Sequence, residues 1–447
     1  MLALPPVGSY GGHRCSMVKL QWLQINRFRS VKPGTRLTFN SGYNVLLGQN
    51  GTGKTTLLNL VAAVVRSDFS EFRDVDFDLQ YSLSSEVGIV TISVGNERKS
   101  PILQPAVDSG RPSSGSHMEV FGIDVSRAET VLTSEVRLES RTSRSAIIKT
   151  QGSAGTVQFV DGAIMHPAIS FETGDSYALG SVVTVVLVNS QDKNHELFEL
   201  ISLFREFRLQ RFDESLDYFK QLSGMDVEVV RLPDGVIGYS KRRGSRELHD
   251  ALAALARDKW GEDRYVITHD LLPFLQKTIQ LLNFESAEAT IDLQESAHRK
   301  VGEWMKLSNL GFFFTHYGGW KISAKLLSYG QKRMLAFLYY LATVQSVAVA
   351  DELVNGLHHR WIQAAIEALG QRQVFLTSQN PLLLDYLTFE NPEQVRSTFI
   401  LCRWEGAGSQ ARMLWENMTQ EAAEDFFDSY KVGFQQVGEL LQAKGLW

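Results

Sequence analysis

Apolar and polar residues alternate along the first part of the chain. The alternation runs over Lys19–Phe28 and returns in shorter form at Arg36–Asn40 and Tyr43–Gly48. Because successive side chains of a strand point to opposite faces, this pattern predicts three short strands. Leucines and valines then recur at helical spacing over Lys54–Val65, which predicts a helix. The expected order is strands, a glycine-rich loop and a helix.

Residues 76–190 contain many β-branched side chains. Stretches such as VGIVTISV and TVLTSEVRL alternate between apolar and polar positions, and clusters of Gly, Ser and Pro separate them. This composition favours strands joined by turns. We therefore expect a β-rich lobe over 76–190, with a loop at Ser100–Ser116.

The pattern becomes helical after this lobe. Apolar residues have helical spacing over Gln191–Leu222 and Ser245–Leu282, with a strand hairpin expected around Asp226–Tyr239. Strand-like segments return at Ala287–Leu293 and Gly311–Ile322. The expected divisions are a flexible tail at 1–16, the first part of a head domain at 17–75, the β-rich lobe at 76–190, a helical insertion at 191–309 and the second part of the head domain at 310–447.

Composition is typical of a globular protein. Of the 447 residues, 44% are apolar and 21% are charged, and the length favours more than one structural unit. The longest apolar run, Val182–Val188, is far shorter than the roughly 20 residues that cross a bilayer. No signal-peptide pattern opens the chain. We expect a soluble, cytoplasmic protein without a membrane partner.

Charge and cysteine content limit the classes of partner and of metal site. The formal charge of -5 gives no global attraction to nucleic acid, so DNA binding would need a local basic face. The two cysteines, Cys15 and Cys402, form no C-x-x-C pair. This cysteine usage fits a reducing compartment and argues against a structural zinc site.

The loop after the third predicted strand has the sequence GQNGTGKT. Its glycines allow successive backbone N–H groups to point at phosphates, and the following helix adds its positive dipole. We expect Lys54 to reach the β- and γ-phosphates of ATP and the Thr55 hydroxyl to bind Mg²⁺. The strand, loop and helix context favours this interpretation over an ordinary glycine turn. The expected ATP-binding residues here are Gly48, Asn50, Gly51, Gly53, Lys54, Thr55 and Thr56.

A second motif, VAVADE at Val347–Glu352, is a short apolar strand that ends in two carboxylates. Alone it is a weak signal, since any core strand can end in acids at a loop. In a chain with a phosphate loop, Asp351 is placed to hold Mg²⁺ and Glu352 to polarise the attacking water. We therefore predict Thr55 and Asp351 as metal-binding residues, and Lys54 and Glu352 as catalytic residues.

A third motif, LLSYGQKR at Leu326–Arg333, precedes a strongly apolar helical stretch. Ser328 could simply cap that helix. The segment resembles the LSGGQ signature of ABC-type ATPases, with Tyr329 in place of one glycine, and it lies just upstream of the carboxylate motif as in that family. The resemblance implies that Ser328, Gly330 and Gln331 of one subunit close over the ATP of another. It also implies an α/β fold, an ABC-type P-loop ATPase head with a large β-rich and helical insertion.

Further segments resemble the ATPase branch that includes the OLD, RecF and SMC proteins. Asn355–His358 is similar to their ENGLH segment, and the FRSV of Phe28–Val31 is typical of the branch. Leu376–Leu387 looks like the switch segment TTHSPxLLD, but Gln379 stands in place of its histidine. Glutamine can bond to the γ-phosphate and to water but has no titratable proton. We expect Gln379 to be catalytic, with hydrolysis that is slow or triggered by a partner.

Two groups of side chains offer alternative metal sites. His358 and His359 are adjacent but have no further ligands beside them, so we expect an ordinary loop there. The segment that begins at Thr419 predicts a capped helix with an acidic first turn, and a nuclease metal cluster is the sharper alternative. Its acids are Glu421, Glu424, Asp425 and Asp428. The chain after the switch segment is shorter than the nuclease module of OLD-type proteins, so we expect no cutting domain.

The interval between the P-loop and the signature is long, unlike that of transporter subunits, and it lacks the heptad arms of SMC proteins. The chain is similar to stand-alone ATPases of PARIS-like and Septu-like anti-phage systems. That resemblance implies a sensor that forms a homodimer or higher homo-oligomer around ATP and controls a separate effector, such as a nuclease or toxin. The alternatives are a RecF/SMC-like DNA-binding repair ATPase and an ATP-dependent assembly scaffold with little hydrolysis.

Overall fold

The structure is a computed structural model of the chain. It describes residues 17–98, 104–105, 118–120, 123–125, 130–141, 144–161, 163–172, 177–179, 182–183, 212, 226–232, 235, 237–241, 245–299 and 302–446. The predicted tail at 1–16 lies outside the described residues, as do most of the predicted loop Ser100–Ser116 and, apart from Phe212, the predicted helical segment Gln191–Leu222.

Strands and helices alternate irregularly along the described residues. The strands are β1 Lys19–Phe28, β2 Thr35–Thr38, β3 Tyr43–Leu47, β4 Phe77–Ser84, β5 Gly88–Arg98, β6 Gln104–Pro105, β7 Met118–Val120, β8 Ile123–Val125, β9 Thr130–Ser140, β10 Arg144–Gln151, β11 Ala154–Asp161, β12 Ile164–Met165, β13 Ile169–Glu172, β14 Val227–Arg231, β15 Ile237–Lys241, β16 Arg264–Thr268, β17 Ser286–Arg299, β18 Gly302–Thr315, β19 Lys321–Ser323, β20 Val347–Ala350, β21 Gln373–Thr377, β22 Phe399–Glu405 and β23 Arg412–Asn417. The helices are α1 Lys54–Arg66, α2 Arg246–Asp258, α3 Pro273–Leu282, α4 Tyr329–Thr343, α5 His359–Leu369, α6 Pro381–Leu384, α7 Pro392–Thr398, α8 Gln420–Val432 and α9 Val437–Ala443.

The chain divides into two compact units, and the first comprises residues 1–23 and 67–206. Its larger sheet has the order β12, β11, β10, β9, β5, β4 and the first half of β1, while β6, β8 and β7 form a small second sheet. The antiparallel register places Val136 between Ile92 and Ile148, and all three side chains are buried. One face of this sheet is therefore apolar, and strands β4–β13 lie within the predicted β-rich lobe.

The second unit comprises residues 24–66 and 207–447, and a five-stranded sheet lies at its centre. The strand order is β20, β21, β3, β22 and β23, with the first four parallel and β23 antiparallel. Every residue of β20 and β21 is buried, as expected for parallel strands covered on both faces. Because parallel strands end at the same edge, the segments after β3, β20 and β21 meet there.

A second sheet of the same unit corrects one expectation. Its order is β15, β14, β18, β17 and β16, with β19 beside β18, so the described part of 191–309 is not a helical insertion. The predicted helix Ser245–Leu282 is divided into α2 and α3 by β16. Tyr265 of β16 pairs with Ile291 and is buried, because this short alternating stretch completes the edge of the sheet. The predicted hairpin at Asp226–Tyr239 corresponds to β14 and β15.

The helices of the described residues are short. None of them is both long enough and apolar enough to pass through a membrane.

Candidate active site

The loop between β3 and α1 is held in a tight turn by its glycines. Gly48, Gly51 and Gly53 have φ values of 142°, 84° and 86°, which glycine adopts without steric cost. A Cβ at Gly48 would lie 2.1 Å from the carbonyl oxygen of Cys402, and one at Gly53 would lie 2.5 Å from Sδ of Met413. A Cβ at Gly51 would meet no atom within 4 Å. The loop is therefore packed against β22 and β23 but open at Gly51.

Two tryptophans of the β22–β23 hairpin bond to the carbonyl groups of this loop. Trp404 Nε1 donates to the Gly51 oxygen at 3.1 Å, and Trp415 Nε1 donates to the Thr52 oxygen at 3.2 Å. Trp415 is buried, whereas 47% of Trp404 is exposed. No local motif in the sequence marks either tryptophan, because they lie 353 and 363 positions after their partners.

Lys54 folds back over the loop that precedes it. Its Nζ atom donates to the carbonyl oxygens of Gly48 at 2.7 Å and Gln49 at 3.0 Å. The Thr52 hydroxyl donates to the same Gln49 oxygen at 2.8 Å. Phosphate oxygens are stronger acceptors for an ammonium group than carbonyl oxygens are. The open glycine loop, the lysine and the N-terminus of α1 therefore fit a triphosphate.

Asp351 joins the end of β20 to the start of α1. Its Oδ2 atom accepts from the Thr55 hydroxyl at 2.8 Å, and its Oδ1 atom accepts from the Thr377 hydroxyl at 2.5 Å. Its backbone N–H donates to the Phe212 carbonyl at 2.7 Å, which fixes the end of the strand. A hydroxyl and a carboxylate side by side are oxygen ligands of the kind that Mg²⁺ prefers. The two predicted metal-binding residues thus lie together and fit this ion.

Glu352 is a buried residue with a left-handed backbone, at φ 50°. For a residue other than glycine this conformation costs of order 1–3 kcal/mol and persists only where the surroundings enforce it. Its N–H donates to the Thr377 hydroxyl at 2.9 Å, and its carbonyl accepts from Arg333 Nη2. Its carboxylate Oε2 accepts from the Gln379 N–H at 3.1 Å. The turn aims this carboxylate at the segment after β21.

The switch segment joins the P-loop to the carboxylate motif. The side-chain Nε2 of Gln379 lies 3.5 Å from Oδ1 of Asn50, a long hydrogen bond. Asn380 then caps α6, its side chain accepting from the Leu382 N–H at 3.0 Å. The structure therefore brings together the three predicted catalytic segments, represented by Lys54, Glu352 and Gln379, at one sheet edge.

The signature-like residues form the start of α4. Ser328 Oγ accepts from the Gln331 N–H at 3.4 Å, and Gln331 Oε1 accepts from the Ser328 N–H at 2.9 Å, which is a capping box. A Cβ at Gly330 would lie 2.7 Å from the Gly356 oxygen, and one at Gly356 would lie 2.5 Å from the Tyr329 ring. The capping interpretation of Ser328 is confirmed. This segment packs on the loop that follows Glu352.

Arg333 connects α4 to the carboxylate motif, a role that no motif in the sequence predicts. It is 1% exposed, and its guanidinium donates to the carbonyl oxygens of Glu352 and Leu353. It also lies over the Phe212 ring at 5.2 Å, a cation–π contact. A charged residue at the start of an apolar helix is a signal for such a buried role, because arginine is seldom buried without partners.

Cys402 presents a buried thiol behind the P-loop. Burial raises the pKa of the Cys402 thiol to about 12, and the nearby Lys54 ammonium lowers it by a smaller amount. The thiol therefore stays protonated at neutral pH. Since its carbonyl also packs against Gly48, Cys402 supports the loop without competing for phosphate.

The side chains considered as alternative metal ligands lie on or next to two helices, α5 and α8. Within that part of the chain, no three His, Cys, Asp or Glu side chains are grouped so as to hold a metal ion. Thr419 caps α8 as expected, and Asp425 on that helix pairs with Lys444. His358 occupies the N-cap position of α5 without a side-chain capping hydrogen bond, and His359 is the first residue of that helix and not part of the expected loop. The two ring centroids lie 5.7 Å apart.

Two family models match the chain. One, described as an AAA domain, covers residues 23–224, and another, described as "AAA domain, putative AbiEii toxin, Type IV TA system", covers residues 233–385. No curated protein matches it. Both models are described as AAA domains, and each covers less than half of the chain. The fold is mixed α/β with a sheet core.

Solved structures also resemble the chain over most of its length. The SMC head bound to the C-winged helix domain of ScpA is 12% identical over 90% of this chain and 98% of that chain, with a TM-score of 0.38. The SMC head domain from Thermotoga maritima is 12% identical, with coverages of 90% and 99% and a TM-score of 0.34. The recombination mediator RecF bound to ATPrS is 12% identical, with coverages of 91% and 100% and a TM-score of 0.29.

Proposed function

We propose that this chain hydrolyses ATP at the edge of the parallel sheet and uses the bound nucleotide to close onto a second copy of itself. The observation that carries this proposal is the convergence of three segments on adjacent carboxylates. Thr55 bonds to Asp351, Thr377 bonds to Asp351 and to the Glu352 N–H, and Gln379 bonds to Glu352. This arrangement supports the proposal that one site combines a phosphate loop, a magnesium-binding pair and a general base.

Each residue has a defined task in the hydrolysis. Lys54 binds the β- and γ-phosphate oxygens and stabilises the charge that develops on them. Glu352 accepts a proton from the water whose oxygen attacks the γ-phosphorus, and ADP leaves with the bridging oxygen. The Gln379 amide orients that water. Thr55 and Asp351 would hold Mg²⁺, which neutralises phosphate charge when bound.

The face near the signature is suited to a second subunit. Leu326 is 75% exposed and Tyr329 is 47% exposed, and both flank Ser328 at the start of α4. Apolar surface of this kind is costly in water and is recovered by association. We propose that Ser328, Gly330 and Gln331 of one copy close over the ATP bound to the other. The active species is then a homodimer or a higher homo-oligomer.

We assign the ATPase the role of a sensor or switch that controls a separate effector, such as a nuclease or toxin, in anti-phage defence. The match of residues 233–385 to a family model described as a putative AbiEii toxin of a Type IV TA system supports this setting.

Two substitutions test the ATPase. Lys54→Ala should abolish ATP binding, measured by calorimetry. Glu352→Gln should slow phosphate release by about 10²–10⁴-fold and trap an ATP-dependent dimer, measured by light scattering. Glu421→Gln, an exposed acid on α8, is the matched control and should behave as the parent. A Glu352→Gln protein that stays monomeric and turns over ATP at the parental rate would contradict the assignment of the base.

A second experiment addresses the partner. Purification of the chain expressed from its native operon should also recover a nuclease or toxin. This recovery should be lost in Lys54→Ala. Duplex binding is measured in parallel, with and without ATP and at two salt concentrations, since phosphate contacts weaken steeply with salt. ATP-dependent, salt-sensitive duplex binding without a co-purified effector would replace the switch role by a RecF-like DNA-binding role. A complete lack of phosphate release with every partner present would favour an assembly scaffold.

A further inference from the structure

Trp404 has an exposed ring whose position is fixed by a hydrogen bond. It lies near the end of β22, 47% exposed, and its indole N–H donates to the Gly51 oxygen at 3.1 Å. Trp415, the neighbouring tryptophan on β23, makes the same kind of bond to Thr52 but is buried. Trp415 therefore acts as a structural brace. Trp404 keeps about half of its surface available while the hydrogen bond fixes it beside the phosphate loop.

The surroundings of Trp404 form a corner next to the P-loop. Trp404 pairs in register with Met413, whose Sδ atom packs against Gly53. The Met413 backbone in turn bonds to Ser30 at 2.8 Å and to Lys32 at 2.9 Å. The loop that would hold the phosphates, the β22–β23 hairpin and the turn after β1 thus meet at this corner.

A surface salt bridge also spans this corner. Lys32 Nζ lies 2.8 Å from Oε2 of Glu405. Glu405 directly follows Trp404 in the sequence. The turn after β1 is thereby joined to the hairpin through a side chain as well as through the backbone of Met413. A planar aromatic ring at such a fixed position loses little conformational entropy when a ligand stacks on it.

We infer that Trp404 is the stacking platform for the purine base of the nucleotide, and this inference rests on the proposed ATP binding at Gly48–Thr55. A purine presents a flat π-face of the size of an indole ring, and stacking of a base on an aromatic side chain is sequence-tolerant. Trp404 should therefore favour purine over pyrimidine nucleotides without separating ATP from GTP. Neither Lys54 nor Asp351 supplies such discrimination, since both act on the phosphate end.

Binding of ATP is compared with binding of inorganic tripolyphosphate, which has the phosphates but no base. Trp404→Ala should weaken ATP binding by about tenfold to a hundredfold and leave tripolyphosphate binding unchanged. Trp404→Phe keeps an aromatic face and should retain most of the ATP affinity. Trp320→Ala is the matched control, since that tryptophan is 57% exposed and stacks on His316 between β18 and β19. It should bind both ligands as the parent does.

Tryptophan fluorescence gives a second readout that does not depend on affinity. Addition of ATP to the parent should quench part of the emission, and this component should be missing in Trp404→Phe but present in Trp320→Ala. Equal loss of ATP and tripolyphosphate binding in Trp404→Ala would overturn the inference, because the ring would then only brace the loop. Unchanged binding of both ligands would overturn it as well. A parent that binds neither ligand would overturn the proposed function and this inference with it.

Discussion

Thr377 connects both carboxylate residues of the site through one hydroxyl. It ends β21 and is 0% exposed. Its hydroxyl donates to Asp351 Oδ1 at 2.5 Å and accepts from the Glu352 N–H at 2.9 Å. Thr377→Val keeps the branched shape and replaces only this hydroxyl by a methyl group. The substitution therefore breaks two hydrogen bonds while changing little else in the strand.

The expected loss of stability in Thr377→Val follows from these two hydrogen bonds. A hydrogen bond to a charged acceptor contributes about 1.5–3 kcal/mol, and removing the partner of a buried N–H costs about 1–3 kcal/mol. The added methyl group returns about 1 kcal/mol through apolar burial. We expect the free energy of unfolding to fall by about 2–4 kcal/mol. For a unit of this size Tm should fall by about 3–7 °C.

Activity should fall together with stability, because the hydroxyl positions both Asp351 and Glu352. A misplacement of about 1 Å in a catalytic group costs on the order of a hundredfold in rate. Calorimetric unfolding and steady-state phosphate release measure the two effects. Thr377→Ser keeps the hydroxyl and is the control. If the valine variant unfolds and hydrolyses ATP as the serine variant does, Thr377 does not hold the carboxylate pair.

Three further outcomes are expected. Gly53→Ala forces a left-handed backbone on alanine, which costs about 1–2 kcal/mol, and the new Cβ also meets Met413. ATP binding measured by calorimetry should weaken about tenfold. Unchanged affinity would contradict the described loop. Gln379→His restores a titratable group and should raise the rate of phosphate release; an unchanged rate would argue that this side chain does not act on the water. In a Cys15→Ser variant, Cys402 should react with a thiol reagent at pH 8 far more slowly in the folded chain than in the unfolded chain. Folding raises its pKa from 9.0 to about 12, so the reactive thiolate fraction falls about a thousandfold. Since the folded chain retains a proton that the unfolded chain releases, this group's contribution to stability is lost as pH rises from about 9 to 12.

The parts of the site that sequence could predict are those held in short local motifs. The glycine loop precedes α1, and Asp351 and Glu352 follow a buried apolar strand, as their residue patterns indicate. The proximity of Thr55 to Asp351 also follows, because parallel strands end at the same edge. These inferences need only the periodicity of a few residues and the general geometry of α/β sheets.

Other parts depend on which strands become neighbours. Trp404 reaches Gly51 because β22 pairs with β3, and no periodicity in either strand states that pairing. Local sequence did not predict the strand β16 for a related reason. Its five residues lie between two helices, and their alternation becomes decisive only when they pair with β17. Long-range pairing of this kind is set by the whole core and not by local preference.

Glu352 shows how this long-range packing determines the chemistry of the site. A glutamate has no intrinsic preference for φ 50°, so its sequence position could not indicate the turn. The conformation is enforced from β21 through Thr377, from α4 through Arg333 and from the switch segment through Gln379. Arg333 lies on the same helix that Ser328 caps, and it donates to the carbonyl of Glu352, the proposed base. A buried arginine therefore connects the signature-like segment to the backbone of that base within one chain.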